Sequence, residues 1–205
     1  CNWRCKHCYH ETYEGGRPDL KMMKDIFHQY LQLGDKYKIP AKHRRITLTG
    51  GEPFLHPNCM EFLEYSSQFH EQFQMAILTN GSLLDKQKMD FIAQKCPAVK
   101  NIQISIEGNQ KINDEIRGEG AFEKILNAVS LIKKYPVPVH LGCTVSKQNF
   151  NDLWELLDLL LIYDVPIILR RLVPIGNSQD DLDNLISSQQ LKTLYEKVHE
   201  INQKY

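Results

Sequence analysis

The chain has 205 residues, of which 42% are hydrophobic and 24% are charged, and this composition excludes an intrinsically disordered or fibrous protein. Lysine plus arginine and aspartate plus glutamate both number 25, and the zero net charge argues against a nucleic-acid partner. The longest apolar run, at residues 156–162, contains Asp158 and is too short to cross a membrane. We therefore expect a folded protein that binds neither nucleic acid nor membrane.

The chain begins with a segment in which three of its six cysteines, Cys1, Cys5 and Cys8, lie within eight residues. Thiolates this close together favour zinc or an iron–sulfur cluster. A structural zinc site usually has four protein ligands, so His7 or His10 would have to supply the fourth, and free thiols are a third interpretation. Such thiols suit a reducing compartment, and because no secretory signal is visible we expect the protein to be cytoplasmic.

After this cysteine loop, assigned to residues 1–16, β-branched segments alternate with segments of helical periodicity. The predicted strands lie at residues 45–49, 75–79, 101–106, 137–145 and 167–173. The predicted helices lie at residues 20–37, 59–69, 86–94, 122–135, 153–163 and 188–203. The alternation predicts an α/β fold with five βα units over residues 44–205, whose parallel sheet is either open or curled into a barrel.

Glycines and small polar residues follow the predicted strands, at the edge where parallel sheets concentrate their chemistry. The sequence Gly50-Gly51-Glu52-Pro53 follows the first strand, and isolated from its context it is an ordinary turn. The strand-end candidates farther along the chain are Asn80, Ser105 and Glu107. Cys59, Cys96 and Cys143 lie in predicted helices or strands, where a free cysteine behaves as a small hydrophobic residue.

The CxxxCxxC spacing followed by Gly-Gly-Glu-Pro resembles the radical S-adenosylmethionine (radical SAM) superfamily. Later segments are similar to that family's successive strand ends: Leu-Thr-Asn-Gly at 78–81, Ile-Ser-Ile-Glu-Gly at 104–108 and Arg-Leu-Val-Pro-Ile-Gly at 171–176. The resemblance covers essentially the whole chain and is strongest to the branch that modifies ribosomally made peptides or proteins. It implies a partial (β/α)6 TIM-like barrel over residues 1–205.

In that family a strand precedes the cysteine loop, whereas this chain starts at the first cysteine without an initiator methionine. We therefore expect the first barrel strand to be missing from this chain, and the chain to be part of a longer protein. Many members of the branch carry a cysteine-rich domain with auxiliary clusters after the barrel. Residues 176–205 contain no cysteine with which to form one.

The resemblance also implies two cofactors, a [4Fe-4S] cluster bound by Cys1, Cys5 and Cys8, and S-adenosylmethionine bound at the open iron. The Gly50-Gly51-Glu52-Pro53 segment would bind the methionine end, with Glu52 accepting from the ammonium group. The remaining residues implied in binding the cofactor are His7 near the adenine, Asn80, Ser105 and Glu107 at strand ends, Arg117 on the carboxylate, and Leu172 and Val173 near the adenine. Arg117 could otherwise be a surface arginine, and Leu172 and Val173 plain core.

Such an enzyme would be an oxidoreductase that cleaves S-adenosylmethionine to a 5′-deoxyadenosyl radical, which abstracts hydrogen from a peptide or protein substrate. Its electron donor would be a flavodoxin or a ferredoxin. No residue in the sequence identifies the specific reaction, because the radical itself removes the hydrogen atom. Two non-catalytic alternatives remain, a structural zinc module and a degenerate barrel that serves as a scaffold.

Overall fold

A computed structural model describes residues 1–10 and 16–204 of the chain, and its centre is one parallel sheet. The five strands pair in chain order, each parallel to the next: β1 (Arg45–Leu48), β2 (Gln74–Thr79), β3 (Val99–Ser105), β4 (Val139–Val145) and β5 (Ile167–Arg171). The sheet curls into a half-barrel, so the predicted α/β partial barrel is confirmed. The predicted cysteine loop is described only at residues 1–10 and 16.

Eight helices accompany the strands in the described part of the chain. They are α1 (Leu20–Lys36), α2 (Cys59–Ser67), α3 (Lys86–Lys95), α4 (Gln110–Arg117), α5 (Ala121–Ile132), α6 (Lys147–Phe150), α7 (Leu153–Tyr163) and α8 (Ser188–Lys204). All six predicted helices are present. The sequence did not predict α4, whose eight residues include only two apolar ones, or α6, which is a single turn.

Local side-chain chemistry fixes where several helices begin. Asp19 accepts from the Met22 amide at 2.7 Å, and Asn109 accepts from the Ile112 amide at 3.1 Å. These side chains satisfy amide groups that have no partner within the first helical turn. Among the helices described, none combines the length and apolar character that a membrane span requires.

The two faces of the sheet differ in what covers them. Apolar side chains on alternate strand positions, such as Ile77, Ile104 and Leu141, are almost fully buried in the core formed with the helices. The positions between them, such as Gln103 and Thr144, point to the opposite, inner face of the half-barrel. The inner face therefore carries most of the polar side chains of the strands, and its edge at the carboxyl ends of the strands is where the site is built.

Replacing Ile104 with alanine should lower the free energy of unfolding by about 3 kcal/mol, because a fully buried core side chain leaves a cavity. Ile168→Ala is the matched control, since Ile168 lies on β5 and is 41% exposed, and we expect it to cost less than about 1 kcal/mol. Urea unfolding followed by far-ultraviolet circular dichroism measures both values. Equal losses in the two variants would contradict the assignment of the two faces.

Candidate functional site

The cysteine loop, residues 1–10, is held against the carboxyl ends of the strands by backbone contacts. A Cβ atom on Gly51 would lie 2.7 Å from the Cys1 nitrogen, so only glycine permits this approach of the loop to the end of β1. The Lys6 amide donates to the Ile116 carbonyl of α4 at 3.0 Å. The Asn177 amide, beyond β5, donates to the Cys8 carbonyl at 2.8 Å. The loop therefore spans the half-barrel from its first strand to its last.

All three cysteines of the loop are half-buried free thiols. The Asn80 Nδ2 atom lies 4.0 Å from Cys1 Sγ, and the Arg117 Nη1 atom lies 3.8 Å from Cys5 Sγ, so two of the three sulfurs have a nearby N–H donor. Within residues 1–10 and 16–204, no three His, Cys, Asp or Glu side chains converge as ligands of a single ion. A four-iron cluster takes one cysteine per iron, and three thiols in one loop match that donor set.

Glu107 lies at the centre of the contacts between the loop and the sheet, and its side chain is almost fully buried. Its Oε1 atom is 3.1 Å from His7 Nε2 and also accepts from Arg117 Nη2, while its Oε2 atom accepts from the Thr144 amide at 2.9 Å. One carboxylate thus joins the cysteine loop, helix α4 and strand β4.

The charges around Glu107 decide its ionisation. Burial opposes the charged carboxylate, but Arg117 and then His7 outweigh this effect and hold the pKa of Glu107 below its usual value. Burial likewise raises the pKa of the Cys5 thiol, and the nearby Arg117 guanidinium acts in the opposite direction. Two buried atoms, His7 Nδ1 and Arg117 Nε, have no hydrogen-bond partner among the described residues. Each therefore retains unused hydrogen-bonding capacity beside the cysteine loop.

Two buried asparagines that the sequence did not single out hold the backbone of Glu107. The Glu107 amide donates to Asn113 Oδ1 at 3.0 Å, and Asn149 Nδ2 donates to the Glu107 carbonyl at 2.8 Å. Asn149 Nδ2 also reaches the Thr144 carbonyl at 2.9 Å. An Asn inside a short polar helix has many ordinary roles, so no signal in the sequence could have identified these two.

Glu52 is buried and fixes the turn between β1 and α2. Its carboxylate accepts from the Thr79 hydroxyl at 2.7 Å, the Asn80 amide at 2.8 Å and the Phe54 amide at 3.2 Å. Burial raises the pKa of Glu52 despite these three donors. A carboxylate offers about four acceptor positions, so one remains for the ammonium group that the resemblance assigns to Glu52, and Glu52 lines the cavity described below. Pro53 follows as the first residue of a short 3₁₀ helix and is also buried.

The other predicted strand-end residues differ in their contacts. Asn80 Nδ2 donates to Asn2 Oδ1 at 2.9 Å, and Asn80 Oδ1 accepts from the Ser82 amide, so this side chain orders the loop. Ser105, which ends β3, is half-buried, and no hydrogen bond of its hydroxyl is found in the described structure. Gly50 has a φ of 141°, and a Cβ atom there would meet only open space.

After β5 the chain returns to the cysteine loop. The two residues predicted to contact the adenine lie here, and they differ in exposure. Leu172 is buried, whereas Val173 is 58% exposed. The sequence analysis noted the segment at residues 171–176 but assigned no role to Gly176. A Cβ atom on Gly176 would lie 2.2 Å from the Tyr9 carbonyl carbon, and its φ is 63°. A glycine following a strand was the available signal for this close approach.

A cavity of about 350 Å³ opens beside the loop. Its walls include Cys1 and the backbone of Gly50 and Gly51, with Met23 and Leu48 as apolar lining. The cavity therefore joins one of the three thiols to the glycine turn, which is where a cofactor bridging the two segments could lie.

Comparison with known proteins gives a family match over most of the chain. Residues 1–160 match the family described as the Radical SAM superfamily. Mycofactocin maturase MftC of Mycolicibacterium smegmatis is 26% identical over 203 residues, which cover 96% of this chain and 48% of that protein. Pre-heme d1 synthase of Dinoroseobacter shibae is 31% identical over 160 residues, which cover 78% of this chain and 37% of that protein.

Solved structures share the fold. The crystal structure of Streptococcus suis SuiB bound to precursor peptide SuiA superposes with a TM-score of 0.78 at 16% identity. The match covers 100% of this chain and 44% of the SuiB chain. This chain spans half or less of the length of these relatives.

Replacing Glu107 with glutamine should destabilise the cluster-free protein by about 3 kcal/mol at pH 7, because it leaves the buried Arg117 charge uncompensated. The pKa of Glu107 is lowered in the folded state, so its stabilisation is present above the unfolded-state pKa and disappears as pH falls through the folded-state pKa. The difference in unfolding free energy between wild type and Glu107→Gln should therefore shrink as the pH falls below 4.5, the ordinary pKa of a glutamate carboxyl group.

Urea unfolding at a series of pH values measures this difference. Glu119→Gln is the control, because Glu119 is an exposed residue near the same helix. A Glu107→Gln penalty that stays constant across the acidic range would show that the buried ion pair does not stabilise the fold.

Proposed function

The chain belongs to the radical SAM superfamily, whose cofactors are a [4Fe-4S] cluster and S-adenosylmethionine, and we propose that it uses both to modify a peptide or protein. The observation that carries the proposal is the placement of Cys1, Cys5 and Cys8. All three lie in a loop held across the strand ends, beside a cavity lined by the Gly50-Gly51 turn. We also propose that residues 1–205 form a single core domain.

Cys1, Cys5 and Cys8 are proposed as the iron ligands. Three ligands leave the fourth iron of a cubane cluster open, and the N–H groups of Asn80 and Arg117 near two of the sulfurs favour the thiolate form. The buried cysteines elsewhere are poorer candidates: burial raises the pKa values of Cys59 and Cys96 to about 12.

The chain also offers groups for S-adenosylmethionine. We assign its methionine end to the exposed backbone of Gly50 and Gly51 in the cavity, with Glu52 and Pro53 shaping that turn. Arg117 is the proposed contact of the cofactor carboxylate, because its guanidinium is positively charged and its Nε has no hydrogen-bond partner among the described residues. Further proposed contacts are Nδ1 of His7 and the side chains of Leu172 and Val173 for the adenine, and the Ser105 hydroxyl for the ribose or carboxylate. Asn80 and Glu107 act by positioning the loop.

The bound and reduced cluster would supply the electron that cleaves S-adenosylmethionine to a 5′-deoxyadenosyl radical, which takes a hydrogen atom from the substrate. This chain's residues hold and shield the cluster. Glu107 contacts both His7 and Arg117, whose Nη1 lies near Cys5 Sγ, and Gly51 and Gly176 let the loop lie close to the sheet. A flavodoxin or ferredoxin is the proposed electron donor, and a reducing cytoplasm the proposed location.

A peptide or protein substrate is proposed because homologues of the chain include peptide-modifying members of the superfamily, and one similar structure holds a precursor peptide. A tetrapyrrole is the second candidate, because the 31% identical relative is a pre-heme d1 synthase. The two substrates share the same cofactor chemistry, so the residues around the cysteine loop do not distinguish them.

Anaerobic reconstitution of the purified protein with iron and sulfide should give about four irons per chain and a brown chromophore. Added dithionite and S-adenosylmethionine should then yield 5′-deoxyadenosine, measured by chromatography. Cys1→Ala, Cys5→Ala and Cys8→Ala should each lose most of the iron and the cleavage. Cys59→Ala, which removes a buried cysteine outside the loop, should retain both.

One zinc per chain without the brown absorbance would instead identify a structural zinc module. A full complement of iron without any cleavage of S-adenosylmethionine would identify a non-catalytic barrel. Either result would refute the proposed enzymatic function.

A further inference from the structure

The inner face of the half-barrel has an unusual charge distribution. Polar side chains point inward from the strands, and Ala76, Leu78 and Ile168 are apolar residues on the same face. The polar residues include Thr47, Asn101, Gln103, Ser105, His140 and Arg170. Arg45 and Arg170 are the inward arginines, whereas none of the inward positions of the five strands carries a carboxylate. A bound molecule that complements this wall would be anionic.

Arg170 has a defined position on this wall. Its Nη2 donates to Gln103 Oε1 at 3.2 Å, which links β5 to β3 across the intervening strand. The two side chains can meet because residue 142 of β4 is glycine. A Cβ atom on Gly142 would lie 2.4 Å from Gln103 Nε2 and 3.3 Å from Arg170 Nη1. Because Gly142 has no side chain, the side chains of Gln103 and Arg170 can both lie over the backbone of β4 at this position.

The guanidinium of Arg170 has no carboxylate partner among residues 1–10 and 16–204. Its partner in the described structure is the neutral amide oxygen of Gln103, a residue that is itself buried. An arginine has five N–H donors, and a carboxylate is the acceptor that matches two of them at once. Arg170 lies next to the last residue of β5, at the edge where the cysteine loop is anchored.

We propose that Arg170, held by Gln103 over Gly142, binds a carboxylate group of the substrate inside the half-barrel. The inference rests on the proposed function and adds the substrate's chemical class. The carboxylate could belong to an acidic side chain of a peptide or to a propionate of a tetrapyrrole, which share the same recognition chemistry. Binding at this position would hold the substrate on the inner wall, at the edge that carries the cysteines.

Binding of two matched pairs of probes to the purified protein tests this inference. The peptide pair is N-acetyl-Gly-Glu-Gly-amide and its Gln counterpart, measured by calorimetry. The tetrapyrrole pair is coproporphyrin III and its methyl ester, measured by absorbance. We expect the acidic member of at least one pair to bind about tenfold more tightly than its neutral counterpart.

Three variants locate the effect. Arg170→Gln should abolish the preference for the acidic probe. Gln103→Glu should abolish it too while leaving Arg170 in place, because the new carboxylate would occupy the guanidinium. Arg171→Gln is the control and should keep the preference, since the next residue of a strand points to the other face. Thermal unfolding of each variant confirms that the fold is retained.

The outcomes separate this inference from the proposed function. An Arg170-dependent preference for the acidic peptide supports both. The same preference for the porphyrin alone supports the carboxylate site but assigns a tetrapyrrole substrate. If neither acidic probe is preferred, or if the preference survives Arg170→Gln, the inference is wrong, whether or not the protein cleaves S-adenosylmethionine.

Discussion

The buried carboxylate of Glu107 determines how the cysteine loop, helix α4 and strand β4 fit together. A charge removed from water is tolerated only with compensating partners, so His7 from the loop and Arg117 from α4 must both lie within its reach. Arg117 is buried as well and thus depends on Glu107 in return. Because His7 lies between Cys5 and Cys8, the electrostatic requirement of one carboxylate sets the position of the thiols.

Glycines at the strand ends also determine the position of the cysteine loop. Gly51 and Gly176 allow the loop to approach the ends of β1 and β5 more closely than any side chain would permit. Glu52, which the resemblance assigns to the ammonium group, also joins the turn after β1 to the end of β2. The turn at residues 50–53 therefore combines accessible backbone at Gly50 with the Glu52 carboxylate, which holds the turn in shape.

The sequence predicted most of the fold because alternating apolar segments are a local property of the chain. All five strands and six helices were predicted within a few residues, whereas α4 was missed because Ile112 and Ile116 alone give too weak a periodicity. The CxxxCxxC motif likewise identified the loop. The pairing of Glu107 with His7 could not be predicted, since it joins residues 100 positions apart through the tertiary fold. The hydrogen bonds of Asn113 and Asn149 to the Glu107 backbone were missed for the same reason.

The two faces of the sheet show how stability and function are separated in this fold. A parallel sheet is ordinarily covered on both sides, and here the apolar core formed with the helices lies on the face that carries residues such as Ile102 and Ile104. The inner face remains polar, so water or a ligand must satisfy its side chains. Gly142 illustrates the consequence: it contributes no side chain to either face, yet it brings Gln103 and Arg170 together where a substrate could be bound. Specificity can therefore change on the inner face without disturbing the apolar core behind it.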